Sequence, residues 1–213
     1  MTLSNYYTVK ENGFHEIIIQ KSRFITYLAR ATTEEQAQAF ISELKKKHHD
    51  ANHNCSAYVI GERNEIQKAN DDGEPSGTAG VPMLEVLKKR DLRDTVVVVT
   101  RYFGGIKLGG GGLIRAYGSS VSEALNAVGV VERIEHTVVS VNVDYTWLGK
   151  LENELRASVH PIDQIHYLEQ VQIDVLVKTA DVPDFLDWMT NMTNGQADLS
   201  SGSTRYLERD IIS

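Results

Sequence analysis

Asp94-Thr-Val-Val-Val-Val-Thr-Arg101 runs directly into Tyr102-Phe-Gly-Gly-Ile-Lys-Leu-Gly-Gly-Gly-Gly-Leu-Ile-Arg-Ala-Tyr117, and the reading of this junction decides the fold. An unbroken β-branched run of strand length reads as a strand buried on both faces. Beyond the glycines, Leu113, Tyr117, Val121 and Leu125 recur every four residues, so a long helix is expected to about Ala127.

Working outward, the preceding residues read as mixed α/β. His15–Ile19 and Phe24–Leu28 are β-rich runs interrupted by Lys21-Ser22-Arg23. Thr33 caps a helix through Lys47, with Gln36 at capping-box spacing and Ala37, Phe40, Ile41 and Leu44 on one face. Cys55–Ile60 and Glu65–Ala69 form a hairpin around Gly61–Asn64. Thr78 or Ser76 starts a further helix, Ala79–Arg90, in which Pro82 falls among the positions that need no amide donor.

After Gly129 the rhythm changes. Thr137, Val139, Val141, Val143 and Tyr145 alternate as a strand; Leu148, Leu151, Leu155 and Val159 make a helical stripe stopped by His160-Pro161. Ile162–Tyr167 and Val171–Val177 are strands, Val182, Phe185, Leu186 and Met189 a helix, and Ser203–Leu207 a weaker last strand. The order βαββαβ is the ferredoxin-like pattern. The fold class is therefore α+β, with domains expected at 1–131 and 132–213.

At 213 residues, 41% hydrophobic and 24% charged, the composition is that of an ordinary globular protein. The longest strongly apolar run, Val96–Val99, is strand-sized, so no membrane association is expected. The N-terminus lacks the pattern of a secretory signal, and the single cysteine cannot form an internal disulfide, which together point to the cytoplasm. The net charge of −7 is unevenly held. Through Arg133 there are 17 Lys+Arg against 16 Asp+Glu, and from Ile134 onward 5 against 13. The acidity belongs to the C-terminal part, so an anion site in the first part must come from local clustering.

Two glycine-rich stretches, Asn70–Gly80 and Arg101–Tyr117, each lead into a helix start, where free N–H groups and the helix dipole favour phosphate or carboxylate. Gly109, Gly110, Gly111 and Gly112 would let a ligand approach the backbone, and Arg101, Lys107 and Arg115 lie around them. Ser76, Gly77 and Thr78 at the other start, with Lys68, extend the candidate surface. No P-loop or dinucleotide fingerprint is completed, which argues against an ATPase or a dinucleotide enzyme. Tyr102-Phe103 have two readings, stacking on unpaired RNA bases or closing the core at a strand end. Asp71, Asp72 and Glu74 are either a magnesium or acid–base set, or acids that turn the chain and position Arg101 and Arg115. Ser76 misses the nucleophile-elbow spacing by one place. His53 and Cys55 share a strand face, with His48 and His49 near in sequence, but a buried, structural Cys55 is favoured over a zinc site or a Cys–His nucleophile.

Asp71–Gly80, Val99-Thr-Arg-Tyr-Phe-Gly-Gly-Ile-Lys-Leu-Gly109 and Gly111-Gly-Leu-Ile-Arg-Ala-Tyr117 resemble the signature of the YigZ/IMPACT family, with Lys21-Ser-Arg-Phe24 and His53-x-Cys55-x-Ala57-Tyr58 similar to its flanking elements. The resemblance is to a bacterial-type member, without the extra N-terminal domain through which eukaryotic relatives act on a translation-controlling kinase. It implies that the first domain resembles the second domain of a small-subunit ribosomal protein, and that the C-terminal domain resembles the ferredoxin-like C-terminal modules of elongation factor G. The expected function is a non-enzymatic translation-related regulator that binds RNA, the ribosome or a protein of the translation machinery, without metal or cofactor. The alternative is a small-molecule enzyme acting on a phosphorylated or carboxylated substrate in a cleft between the Asp71–Glu74 acids and the basic loop.

Overall fold

The computed structural model describes residues 5–61 and 63–211. The elements in order are β1 (Asn5–Val9), β2 (Gly13–Ile19), β3 (Ser22–Arg30), α1 (Glu34–Lys47), β4 (His53–Ile60), β5 (Ile66–Asn70), α2 (Gly80–Lys89), β6 (Thr95–Tyr102), α3 (Gly109–Val128), β7 (Val130–Val143), α4 (Tyr145–Ala157), β8 (Ile162–Tyr167), β9 (Val171–Lys178), a short 3-10 turn (Thr179–Asp181), α5 (Val182–Met192) and β10 (Asp198–Asp210). The protein is mixed α+β with antiparallel sheets. The described residues divide into two compact units, Tyr6–Glu132 with Arg209–Ile211, and Arg133–Glu208 with Asn5.

In the first unit the strands are ordered β2-β3-β6-β4-β5. The valine run of β6 is central, and Val96 to Val99 are all 0% exposed. Because successive residues point to opposite faces, Val97 and Val99 pack with Phe24, Leu28 and Cys55 under α2 and α3, through Met83, Leu87, Tyr117 and Val121. Val96 and Val98 pack with Tyr58 and Ile60 under Ala37, Ile41 and Leu44 of α1. Alternate residues of one strand therefore serve different layers, which later separates Arg101 from Tyr102.

Thr33 caps α1, accepting from the Gln36 N–H. The reciprocal arm departs from the expected box: Gln36 Oε1 accepts from the N–H of Thr32, one residue earlier. The helix after Asn70–Gly80 also departs from expectation. Neither Ser76 nor Thr78 caps α2, and the Thr78 hydroxyl donates to the Pro75 carbonyl at 2.6 Å instead. The four glycines 109–112 are the first turn of α3, not a loop before it.

From β7 onward the order is βαββαβ, with β9 between β7 and β8, while β1 and β10 both pair with β7. Val139, Val141, Val143, Ile173 and Val175 meet Leu151, Leu155, Phe185 and Met189 in one core. Tyr145 begins α4 behind the Asp144 cap instead of ending a strand. Val159 lies past the helix end and is 81% exposed, so it does not belong to the apolar stripe of Leu148, Leu151 and Leu155. β1, whose Val9 enters the first unit's core, was not readable from sequence.

Candidate functional site

Asp71, Asp72 and Glu74 follow one another in a turn, and the turn sends their carboxylates to three different tasks. Asp71 reaches the start of α2 and accepts from the N–H groups of Gly77 (2.8 Å), Ala79 (3.1 Å) and Gly80 (2.8 Å). Burial by itself would raise this carboxyl, but the bonds from Gly77, Gly80 and Ala79 together outweigh it and hold the group below the usual aspartate range. Asp72 accepts from the Lys45 ammonium (2.6 Å) and the Asn54 N–H (2.7 Å). Glu74, 8% exposed, accepts from Arg101 Nη1 (2.6 Å) and the Tyr117 hydroxyl (2.8 Å).

The Asp71 cap corrects one expectation. The start of α2 already holds an internal carboxylate, so Gly77 is engaged and the junction is not open to an external anion. Asp71→Ala is expected to cost about 1 kcal/mol, the usual worth of a lost N-cap. The sign of its pH dependence follows from the depressed carboxyl. The contribution is complete above the ordinary aspartate value of about 3.9 and is lost as pH falls through the lower folded value. Urea unfolding near neutrality and near about pH 3 should show the gap between wild type and Asp71→Ala wide in the first and narrowed in the second.

Arg101 follows the reading in which the neighbouring acids position it, and departs from the one that makes it part of an exposed binding surface. It is 5% exposed, its guanidinium lying 5.3 Å from the centre of the Phe24 ring and 5.5 Å from that of Phe103. Nη2 is 3.4 Å from the Ser22 hydroxyl, and the buried Nε has no hydrogen-bond partner among the described residues. Arg101 is thus a buried ion-pair partner, not a free surface cation. Tyr102, one residue on, faces the α1 layer, where its hydroxyl meets His48 Nδ1 (2.9 Å) and Asp50 (3.1 Å). Lys68 sits on edge strand β5 and pairs with Glu34 at 2.7 Å, apart from the glycine turn.

What the fold does gather is a cavity of about 420 Å³ between the Glu74 turn, the end of β6 and the start of α3. Glu74, Arg101 and His53 line it together with Lys107, Gly109 and Gly110, and Phe103, Leu108 and Leu113 supply apolar wall. His53 Nδ1 donates to the Asp72 carbonyl (2.9 Å), which turns Nε2 toward Glu74 Oε2 at 3.8 Å. The place of His53 opposite Glu74 was not anticipated. The sequence placed His53 on a strand face with Cys55, and the register that sets it beside Arg101 on the neighbouring strand brings it to Glu74. A larger cavity, about 530 Å³ and lined by Tyr7, Arg90, Glu132 and Arg209, contains none of the residues singled out from sequence.

The α3 start differs from that of α2. Its N-cap position, Leu108, makes no side-chain cap bond. Gly109 takes a φ of +70°, open to glycine at little cost. At Gly110 a β-carbon would meet nothing nearer than the Thr78 methyl at 4.0 Å, and at Gly111 nothing nearer than an Arg115 guanidinium nitrogen at 3.7 Å. Packing does not require glycine there. Lys107 and Arg115 are exposed, and neither is in an ion pair among the described residues. Ser76 is exposed on the turn before α2.

Cys55 is fully buried, its thiol donating to the Asp71 carbonyl at 3.0 Å. Burial pushes it up to about 12, against the opposing effect of the Tyr117 hydroxyl. It is a structural thiol, as favoured from sequence, and not an activated nucleophile. Among the described residues no three His, Cys, Asp or Glu side chains group to hold a metal ion. Among the described residues no helix is long and apolar enough to cross a membrane.

Compared with known proteins, residues 20–125 match the Impact N-terminal domain, and residues 141–196 match a domain of unknown function, DUF1949. The chain is 61% identical over 209 residues to the IMPACT family member YvyE of Bacillus subtilis (strain 168), covering 98% of this chain and 96% of that one. It is 37% identical over 183 residues to the IMPACT family member YigZ of Escherichia coli (strain K12), covering 85% and 90%. Protein IMPACT of Xenopus laevis is 41% identical over 95 residues, 42% of this chain and 30% of its own length. A crystal structure of a hypothetical protein superposes with a TM-score of 0.60 at 32% identity, covering 94% of this chain and 98% of that chain.

Proposed function

This chain belongs to the IMPACT family, and from that premise we propose that it is a non-enzymatic, translation-related regulator that contacts RNA, on the ribosome or free, through the first turn of α3. The observation that carries this reading is the uncapped glycine turn. A glycine in a helix costs up to about 1 kcal/mol relative to alanine, and at Gly110 and Gly111 packing gives nothing back for that cost. Room for a phosphate against bare N–H groups does. Lys107 and Arg115 flank the turn and are free to add charge-assisted bonds. Arg101 and Glu74 line the same cavity, paired with each other and not offered to a ligand.

We also read residues 1–131 as a domain resembling the second domain of a small-subunit ribosomal protein. Residues 132–213 we read as a ferredoxin-like module similar to those of elongation factor G. The pairing of β10 with β7, and the place of β9 between β7 and β8, support the latter. A cytoplasmic setting belongs to the same reading.

The test is a salt titration of binding to ribosomal RNA and to purified ribosomes. Affinity should fall steeply with salt, and Lys107→Ala with Arg115→Ala should shallow the logarithmic slope by about one for each phosphate contact removed. Salt-independent binding, or binding to neither probe, overturns the reading.

A second reading draws on the cavity itself, which unites Glu74 with Lys107 and Gly109 in the manner of a small-molecule site. The remaining acids are committed elsewhere, Asp71 to α2 and Asp72 to Lys45, so the acid set does not converge on the basic loop. That division favours the binding reading.

A further inference from the structure

The opposite face of the first unit's sheet carries a row of aromatic rings that the glycine-turn reading does not use. α1 packs over β4 and β6, and its apolar contacts are with Tyr58, Ile60, Val96 and Val98. Toward edge strand β2 the same face is uncovered. Phe14 is 64% exposed and Ile18 67%. Phe14 stands directly across from Tyr27 in the β2–β3 register, with ring centres 5.5 Å apart at an interplanar angle of 32°. The row continues from Tyr27 to His48 at 5.4 Å and from His48 to Tyr102 at 6.0 Å.

His48 locks the row. Its Nε2 lies 2.7 Å from the Tyr27 hydroxyl and its Nδ1 2.9 Å from that of Tyr102. Burial holds His48 below the usual histidine range, so at neutral pH the ring is neutral, with one nitrogen donating and the other accepting. Cations sit on this row: the Lys47 ammonium is 5.0 Å from the centre of the Tyr27 ring, and the Arg23 guanidinium 5.4 Å from that of Tyr102. Lys21 is exposed in the adjoining β2–β3 turn. The nearby carboxylates are already engaged: Glu16 bonds to Arg23 at 2.9 and 3.0 Å, and Asp50 accepts from Tyr102. The balance on this face is positive.

We infer that this face is a base-stacking platform for single-stranded RNA, with Phe14 as the exposed ring and Lys47 and Lys21 as phosphate partners. Exposed aromatics on a sheet, interleaved with cations, are what unpaired bases and their backbone require together. Glu16 stands between Phe14 and Ile18 on this face and interrupts its apolar surface, unlike the continuous apolar core of a protein interface. The inference rests on the nucleic-acid reading above but uses other residues on another face, so the two can fail separately.

The experiment is fluorescence polarisation of a short labelled oligouridylate against wild type, Phe14→Ala, Phe14→Trp and Lys107→Ala/Arg115→Ala, each over a range of salt. Phe14→Ala should weaken binding about tenfold, the loss of roughly one stacked base, with the salt slope unchanged. Phe14→Trp should keep wild-type affinity. Because Phe14 is exposed and loses only its cross-strand contact with Tyr27, the thermal midpoint should fall by no more than a few degrees, and this separates a lost ring from a lost fold. If Phe14→Ala binds as wild type while Lys107→Ala/Arg115→Ala loses affinity and slope, the platform is wrong and the glycine-turn reading stands. If the reverse holds, the platform stands and the glycine turn falls. If wild type binds no oligouridylate, the platform is overturned.

Discussion

Glu74→Ala is expected to destabilise the first unit by about 3–5 kcal/mol, the cost of leaving a buried charge without its partner. Arg101 cannot escape to water, because it is 5% exposed and held between the rings of Phe24 and Phe103. Removing the carboxylate also strips the acceptor from the buried Tyr117 hydroxyl. Arg101→Ala should cost a similar amount for the mirror-image reason. Replacing both at once, Glu74→Leu with Arg101→Met, should recover a large part of the loss, since the penalty lies in the unpaired charge. The measurement has to report on the right unit. Both tryptophans, Trp147 and Trp188, lie in the other unit, so tryptophan fluorescence would follow the wrong transition. Hydrogen exchange of the Val96–Val99 amides in β6 reports directly, and a change below about 1 kcal/mol would show that the pair does not hold the floor of the cavity. This expectation also governs functional tests. A loss of RNA binding in Arg101→Ala would be confounded by unfolding, so the exposed Lys107 and Arg115 are the residues to change.

The elements followed readily from sequence wherever one periodic signal dominated. The valine run of β6, the four-residue stripe of α3 and the alternation of β7 each bury one surface type, and composition alone reports that. Where the determining contact lay far along the chain, the sequence was silent. Nothing about Asp71 in isolation says that it will cap a helix whose first residue is Gly80, because a cap is normally sought next to the helix it serves. Nor does Arg101 beside Lys107 and Arg115 distinguish a buried ion-pair partner from free cations. That depends on strand parity, which sends Arg101 to the α2–α3 face and Tyr102 to the α1 face. The site was legible as a region, through its glycines and cations. The division of labour within it was not, because this is set by cross-strand register and by a turn that disperses three adjacent acids.

The glycines provide the second large effect, and they separate structure from function within one segment. At Gly104 a β-carbon would stand 2.1 Å from both the carbonyl carbon and oxygen of Lys21 and 2.5 Å from the Ser22 nitrogen. These are backbone atoms, so no side chain can swing aside. The β2–β3 turn and the end of β6 would have to part, and with them the bond from the Gly104 N–H to the Ser22 hydroxyl at 3.2 Å. Gly104→Ala is therefore expected to cost about 3 kcal/mol or more, the upper end for overpacking a fixed site. Gly110→Ala and Gly111→Ala meet ordinary contact distances and gain helix propensity. Each should leave stability unchanged or raise it by up to about 1 kcal/mol. If the α3 turn receives phosphate, the same two substitutions should weaken RNA binding, because the added methyl group occupies the approach to the bare N–H groups. Thermal unfolding and RNA affinity measured side by side on Gly104→Ala, Gly110→Ala and Gly111→Ala decide the matter. Stability gained with affinity lost at Gly110 and Gly111 marks glycines kept for a ligand. Stability gained with affinity intact removes the ligand from the explanation of the turn.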